Sequence, residues 1–158
     1  MARRRDPGRV VLAGHSSGTQ VAAHAALRRP AKVAGLVLAS PTVDPVARSW
    51  LRLFVRWRLD GRHEPPGLSE SHRPEWKRAG MRRLVHTVRI HLADRLEETV
   101  QRLDVPVLVL RGRDDRLSTD DWAGRLGSLV HVPGAHTFPW AAPDAWSAPI
   151  REFAAEVA

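Results

Sequence analysis

The residues best equipped for chemistry in this 158-residue chain begin at Gly14-His15-Ser16-Ser17-Gly18. The segment fits the spacing G-x-S-x-G. A serine on a sharp strand-to-helix turn sits in a strained backbone conformation that pushes its hydroxyl into the open. The residues two before and two after it approach each other, so both are expected to be glycine. A helix N-terminus beside the serine favours negative charge. The backbone N–H of Ser17 is then placed to hold a developing oxyanion. Ser17 competes for the nucleophile role but lacks the flanking glycine pair, which selects Ser16. The plainer reading of these residues is a glycine-serine turn in an ordinary strand-helix-strand unit.

The elements around the motif favour the first reading. Arg9 to Ala13 is a short apolar run closed by Gly14, a buried strand. Ser17 to Arg29 is an alanine-rich helix stopped by Pro30. Val33 to Ala39 reads as a second buried strand. Short joins between them imply a parallel sheet. Pro45 to Leu59 carries Val46, Trp50, Leu53, Phe54 and Trp57 at helical spacing. Residues 61–74 read as a polar, proline-bearing loop, Glu75 to Val85 as a helix, and Arg89 to Leu103 as another. Strand patterning returns at Pro106 to Leu110, with a helix from Ser118 to Leu126 behind a Ser/Thr-x-x-Asp cap. Ser128 to Val132 is a fourth strand, and Ala141 to Val157 a terminal helix. The fold class is α/β: about four parallel strands flanked by helices, in one domain over 1–158 with a helical insert at about 42–104.

The strand, elbow, helix and strand from Arg9 to Pro41 resemble the α/β-hydrolase fold family, in its serine-nucleophile branch. The resemblance implies an acid after the later strand and a histidine near the end. Asp115, in Gly112-Arg113-Asp114-Asp115, stands three residues after the glycine, where the family places its acid; Asp114 is the alternative. His136, in Pro133-Gly134-Ala135-His136, follows the last strand, where the family places its base. The order Ser16, Asp115, His136 is that of the family. By the same resemblance, His15 borders the substrate pocket or packs beside it. Trp50, Phe54, Trp57 and Trp76 of the insert line the pocket or pack the insert. The implied reaction is attack by Ser16 on an ester-like small molecule, giving an acyl-enzyme that water clears. No metal and no cofactor are implied. Family members carry several strands before the nucleophile strand, whereas eight residues precede Arg9, and no His-Gly pair for a second oxyanion donor occurs. The chain therefore reads as the C-terminal part of such a fold, with impaired activity and an exposed sheet edge that favours self-association. A non-catalytic remnant or interaction module of the same family is the rival reading.

Composition narrows the field further. With 43% hydrophobic residues the chain can bury a core and is not disordered. Without cysteine it has no disulfide frame, thiolate metal site or cysteine nucleophile. Lys+Arg 25 against Asp+Glu 17 gives a net charge of +8. All but Lys32 and Lys77 of those cations are arginines, and they are scattered rather than striped. A solvated basic surface is expected, not a nucleic-acid site. Arg3, Arg4 and Arg5 could guard the sheet edge against pairing. No uninterrupted apolar run is long enough for a membrane span or a secretory signal, so the protein is expected to be cytoplasmic.

Overall fold

Seven consecutive residues, Val33–Ala39, are buried without exception, as only the central strand of a sheet covered on both faces can be. In the computed structural model, which describes residues 8–157, this strand is β2. It lies between β1 (Val10–His15) and β3 (Val107–Gly112), and β4 (Ser128–Val132) completes a sheet of order β1-β2-β3-β4. All three pairings are parallel. Strand alternation then divides the core in two. Leu36 and Leu38 point into one cluster, with Ala22, Ala23, Leu96, Trp122 and Leu126. Val37 and Ala39 point into the other, with Leu110, Val132, Phe138 and Phe153.

The helices that cover these faces follow from the sequence pattern. Helix α1 (Gly18–Arg28) buries Ala22, Ala23 and Ala26, whose small side chains let it approach the sheet. Between β2 and β3 come α2 (Trp50–Asp60), α3 (Leu68–Ala79), α4 (Met81–Ala93) and the short α5 (Leu96–Val100). Ser49 caps α2, its hydroxyl accepting from the Arg52 N–H. Thr119 caps α6 (Asp120–Leu126) in the same way, accepting from Trp122. Helices α7 (Phe138–Ala141) and α8 (Pro143–Val157) close the described chain.

The insert departs from the sequence reading. The expected loop at 61–74 ends early, because α3 begins at Leu68 and runs through Pro74. Gly67 at φ +87° makes the turn into it, and Gly80 at φ +75° breaks the chain between α3 and α4 where one continuous helix was expected. The expected terminal helix from Ala141 starts two residues later, as α8, and a short helix the sequence reading lacked, α7, precedes it. The amphipathic faces of the insert are also less covered than their spacing suggests. Asp60 is the sole buried residue of α2, and α4 has none. Helix α5 differs, since Leu96 and Val100 join the first core cluster.

Among the described residues, β1 pairs only with β2 and forms one edge of the sheet. Val10 is 39% exposed there. The arginines at 3, 4 and 5 lie outside the described residues. No described helix is long and apolar enough to cross a membrane.

Candidate active site

Parallel strands end at the same edge of their sheet, and the three candidate residues leave from that edge. Ser16 follows β1 directly and adopts φ +53°, a left-handed conformation that non-glycine residues avoid. Three bonds hold it there: its N–H donates to the Ala39 carbonyl at 2.9 Å, and its carbonyl accepts from the Thr19 hydroxyl at 2.6 Å and the Thr19 N–H at 3.0 Å. A Cβ at Gly14 would stand 2.3 Å from the Gly18 carbonyl oxygen, an impossible contact. A Cβ at Gly18 would meet nothing within 4 Å. The elbow thus demands glycine at 14 and not at 18, which corrects the expectation that both are required. The Ser17 N–H, at the first turn of α1, makes no bond within the chain among the described residues.

The two remaining loops run side by side. Arg113 N–H donates to the Val132 carbonyl and Asp114 N–H to that of Gly134, at 2.9 and 3.0 Å. The loop after β3 is braced from within by Arg111, which is buried. Its guanidinium donates to the carbonyls of Ser118, Gly112 and Asp115 at 2.9, 3.0 and 2.7 Å. Asp115 is buried as well, while Asp114 is exposed. The Asp115 Oδ1 accepts from the Leu117 and Ser118 N–H groups at 2.8 and 3.2 Å, and Oδ2 lies 3.2 Å from His136 Nδ1. A carboxylate can only accept, so Nδ1 is the donor and neutral His136 keeps Nε2 as acceptor. That nitrogen lies 2.8 Å from Ser16 Oγ.

The electrostatics follow from this contact. Burial pushes the Asp115 carboxyl up, but His136, the Leu117 amide and the Ser40 side chain outweigh it and hold the carboxyl below the usual range. Burial opposes the His136 imidazolium, yet the charge and hydrogen bond of Asp115, joined by Asp60 and Glu64, raise its pKa above the ordinary value. His15 goes the other way, since burial lowers its pKa. Its Nε2 lies 2.9 Å from the His136 carbonyl oxygen, so it braces the backbone of the neighbouring histidine. A hydroxyl, an imidazole acceptor and an orienting carboxylate in this chain are equipped to deprotonate a serine.

A cavity of about 920 Å³ opens over Ser16 and is lined by His15, Ser17, His136, Trp57 and Trp76, together with the turn between α2 and α3. Trp57 packs edge-on to Trp76 at 5.9 Å between centroids. Trp50 and Phe54 are not in this lining; they are 50% and 58% exposed on the insert. Two lining residues carried no signal in the sequence: Asp60 and Glu64.

The family described as serine aminopeptidase, S33, matches residues 1–128. The chain belongs to this family of α/β-hydrolases. The S33 match ends at the start of β4, before His136. No curated protein sequence matches. Solved structures share the S33 chain's fold. An α/β-hydrolase from the sediment metagenome of the Mar Chica lagoon in Morocco has a TM-score of 0.67 and 14% identity, over 94% of this chain and 62% of its own. A hydrolase from Pseudomonas aeruginosa has 0.66 and 22%, over 92% and 64%. A serine hydrolase involved in carbazole degradation has 0.69 and 18%, over 95% and 65%. The chain spans less than two thirds of the length of each of these three proteins.

The Gly14 contact yields a test of the elbow. Gly14→Ala should cost about 3 kcal/mol or more in urea denaturation, because backbone must move. Gly18→Ala should be neutral or stabilising by up to about 1 kcal/mol, since helical alanine loses less entropy than glycine.

Proposed function

We propose that this S33 hydrolase cleaves an ester-like small molecule through Ser16, with His136 as base and Asp115 as the acid that orients it. The observation that carries the reading is the unbroken chain of contacts from Asp115 Oδ2 to His136 Nδ1 and from His136 Nε2 to Ser16 Oγ, at 3.2 and 2.8 Å. His136 takes the hydroxyl proton as Ser16 Oγ attacks the carbonyl carbon. Asp115 stabilises the imidazolium that results. The Ser17 N–H, which has no partner among the described residues, receives the oxyanion. His136 then returns the proton to the leaving group, and water attacks the acyl-enzyme by the same path. His15 and Trp57 border the bound substrate, since both line the cavity.

The edge at β1 supports a second proposal, about assembly. A second copy of the chain docks there, because Val10 is exposed and one side of the strand has no described neighbour. Net charge opposes association, but salt shortens its reach to about 8 Å at physiological strength. Elution volume in size-exclusion chromatography should fall as salt rises; a salt-independent monomer would reject the dimer.

The catalytic reading is tested with a nitrophenyl ester and a fluorophosphonate probe. Ser16→Ala should abolish both turnover and labelling while leaving the thermal melt unchanged. Asp115→Asn should cost on the order of 10⁴-fold in kcat by leaving the imidazolium unsupported, whereas Asp114→Asn should be mild. Turnover should rise with pH through a midpoint above the ordinary histidine value of 6.5, because the base must be neutral and its pKa is raised. Parent-level turnover by Ser16→Ala would sink the assignment.

A further inference from the structure

Asp60 ends α2, and Glu64 follows four residues later across a glycine turn. Neither belongs to the sheet, yet each reaches it at a telling place. Asp60 Oδ1 accepts from the backbone N–H of Arg116 at 2.9 Å, and Arg116 is the residue after Asp115. Glu64 Oε1 accepts from the backbone N–H of Thr137 at 2.7 Å, and Thr137 is the residue after His136. We propose that Asp60 and Glu64 are positioning residues, a two-carboxyl clamp by which the insert holds the acid and base loops in register. The proposal rests on reading Asp115 and His136 as members of the catalytic set.

Three observations give the clamp its force. Asp60 is 2% exposed, deep for a carboxyl that no cation offsets by a direct ion pair among the described contacts. Buried acceptors are retained where their bonds matter, and each of these takes one amide of the loops it would fix. Glu64 Oε2 is buried, and no donor among the described residues reaches it. The Asp60 carboxyl is its electrostatic neighbour. Two neighbouring carboxyl groups cannot both be ionised cheaply, which favours a proton on Asp60. Burial accordingly pushes Asp60 up to about 7, with the charge of Asp115 and the contact with Glu64 adding to the rise.

The pair is electrically linked to the base it positions. Facing it are Asp115 and the Arg116 amide from the loop after β3, His136 from the loop after β4, and His15 from β1. Arg58 and Arg62 share the cavity wall with it. Negative charge on Asp60 and Glu64 favours the His136 imidazolium. The clamp therefore acts twice: its oxygens set where the loops stand, and its charge sets how basic His136 is. A misplacement of about 1 Å in such a site can cost roughly 100-fold in rate.

Isosteric and apolar substitutions separate the two actions. Asp60→Asn keeps an oxygen for Arg116 and removes the charge. The acid limb of kcat/KM and the His136 imidazole titration by NMR should both move to lower pH. Asp60→Leu and Glu64→Leu remove the acceptors. They should lose roughly 10- to 100-fold in kcat with little change in KM, and hydrogen exchange at the Arg116 and Thr137 amides should accelerate. The titration and exchange readouts need no turnover. A shifted titration and accelerated exchange in a protein without esterase activity would uphold the clamp and reject the proposed reaction. An unmoved His136 titration in Asp60→Asn, with unchanged exchange in Glu64→Gln and in whichever leucine variants fold, would overturn the clamp.

Discussion

Parallel pairing is the constraint on which the rest of this protein depends. Because β1, β3 and β4 run the same way, the turns that follow them emerge at one edge, and side chains 120 residues apart in sequence meet within hydrogen-bond distance. No local interaction could bring Ser16 to His136. The buried central strand β2 sets the spacing, and the Ala39 carbonyl at its end takes the N–H of Ser16 itself. The sheet is both scaffold and direct ligand of the elbow.

A second layer of contacts turns proximity into orientation. The acid loop is locked from below by the Arg111 guanidinium and from above by Asp60, each acting on backbone rather than on the Asp115 carboxyl. That leaves both carboxyl oxygens free for the Leu117, Ser118 and His136 donors. The base loop is held in the same style, by His15 at its carbonyl and Glu64 at the following amide. Gly112 permits the two loops to touch, since a Cβ there would stand 2.3 Å from the Ala135 carbonyl oxygen.

How much of this was legible in the sequence depended on whether the signal was local. β2 and β4 begin and end where the apolar runs do, because β-branched and leucine runs bounded by glycine, proline or serine have few other ways to fold. The elbow was readable because its geometry fixes residue types at fixed offsets, although the demand for glycine at 18 was overstated. Asp60 and Glu64 were invisible because their partners are backbone amides 56 and 73 residues away, and an amide has no residue type to recognise. Helical spacing in α2 announced an apolar face but not what would cover it, so it could not separate pocket lining from packing of the insert; of Trp50, Phe54 and Trp57 only Trp57 reaches the pocket. Pro74 suggested a loop, and α3 absorbs it.

The uneven depth of burial between β2 and the insert has a consequence for motion. Opening the sheet at β2 means exposing leucine and valine side chains that lie at 0% exposure on both faces, so its amides can exchange only when the whole fold opens. Helix α4 has no fully buried residue, only half-buried ones such as Leu84, Val88 and Leu92, and lifting it away forfeits less apolar contact. The two regions therefore belong to different rungs of the stability ladder. Helix α4 can therefore open while the sheet that carries Ser16 stays closed.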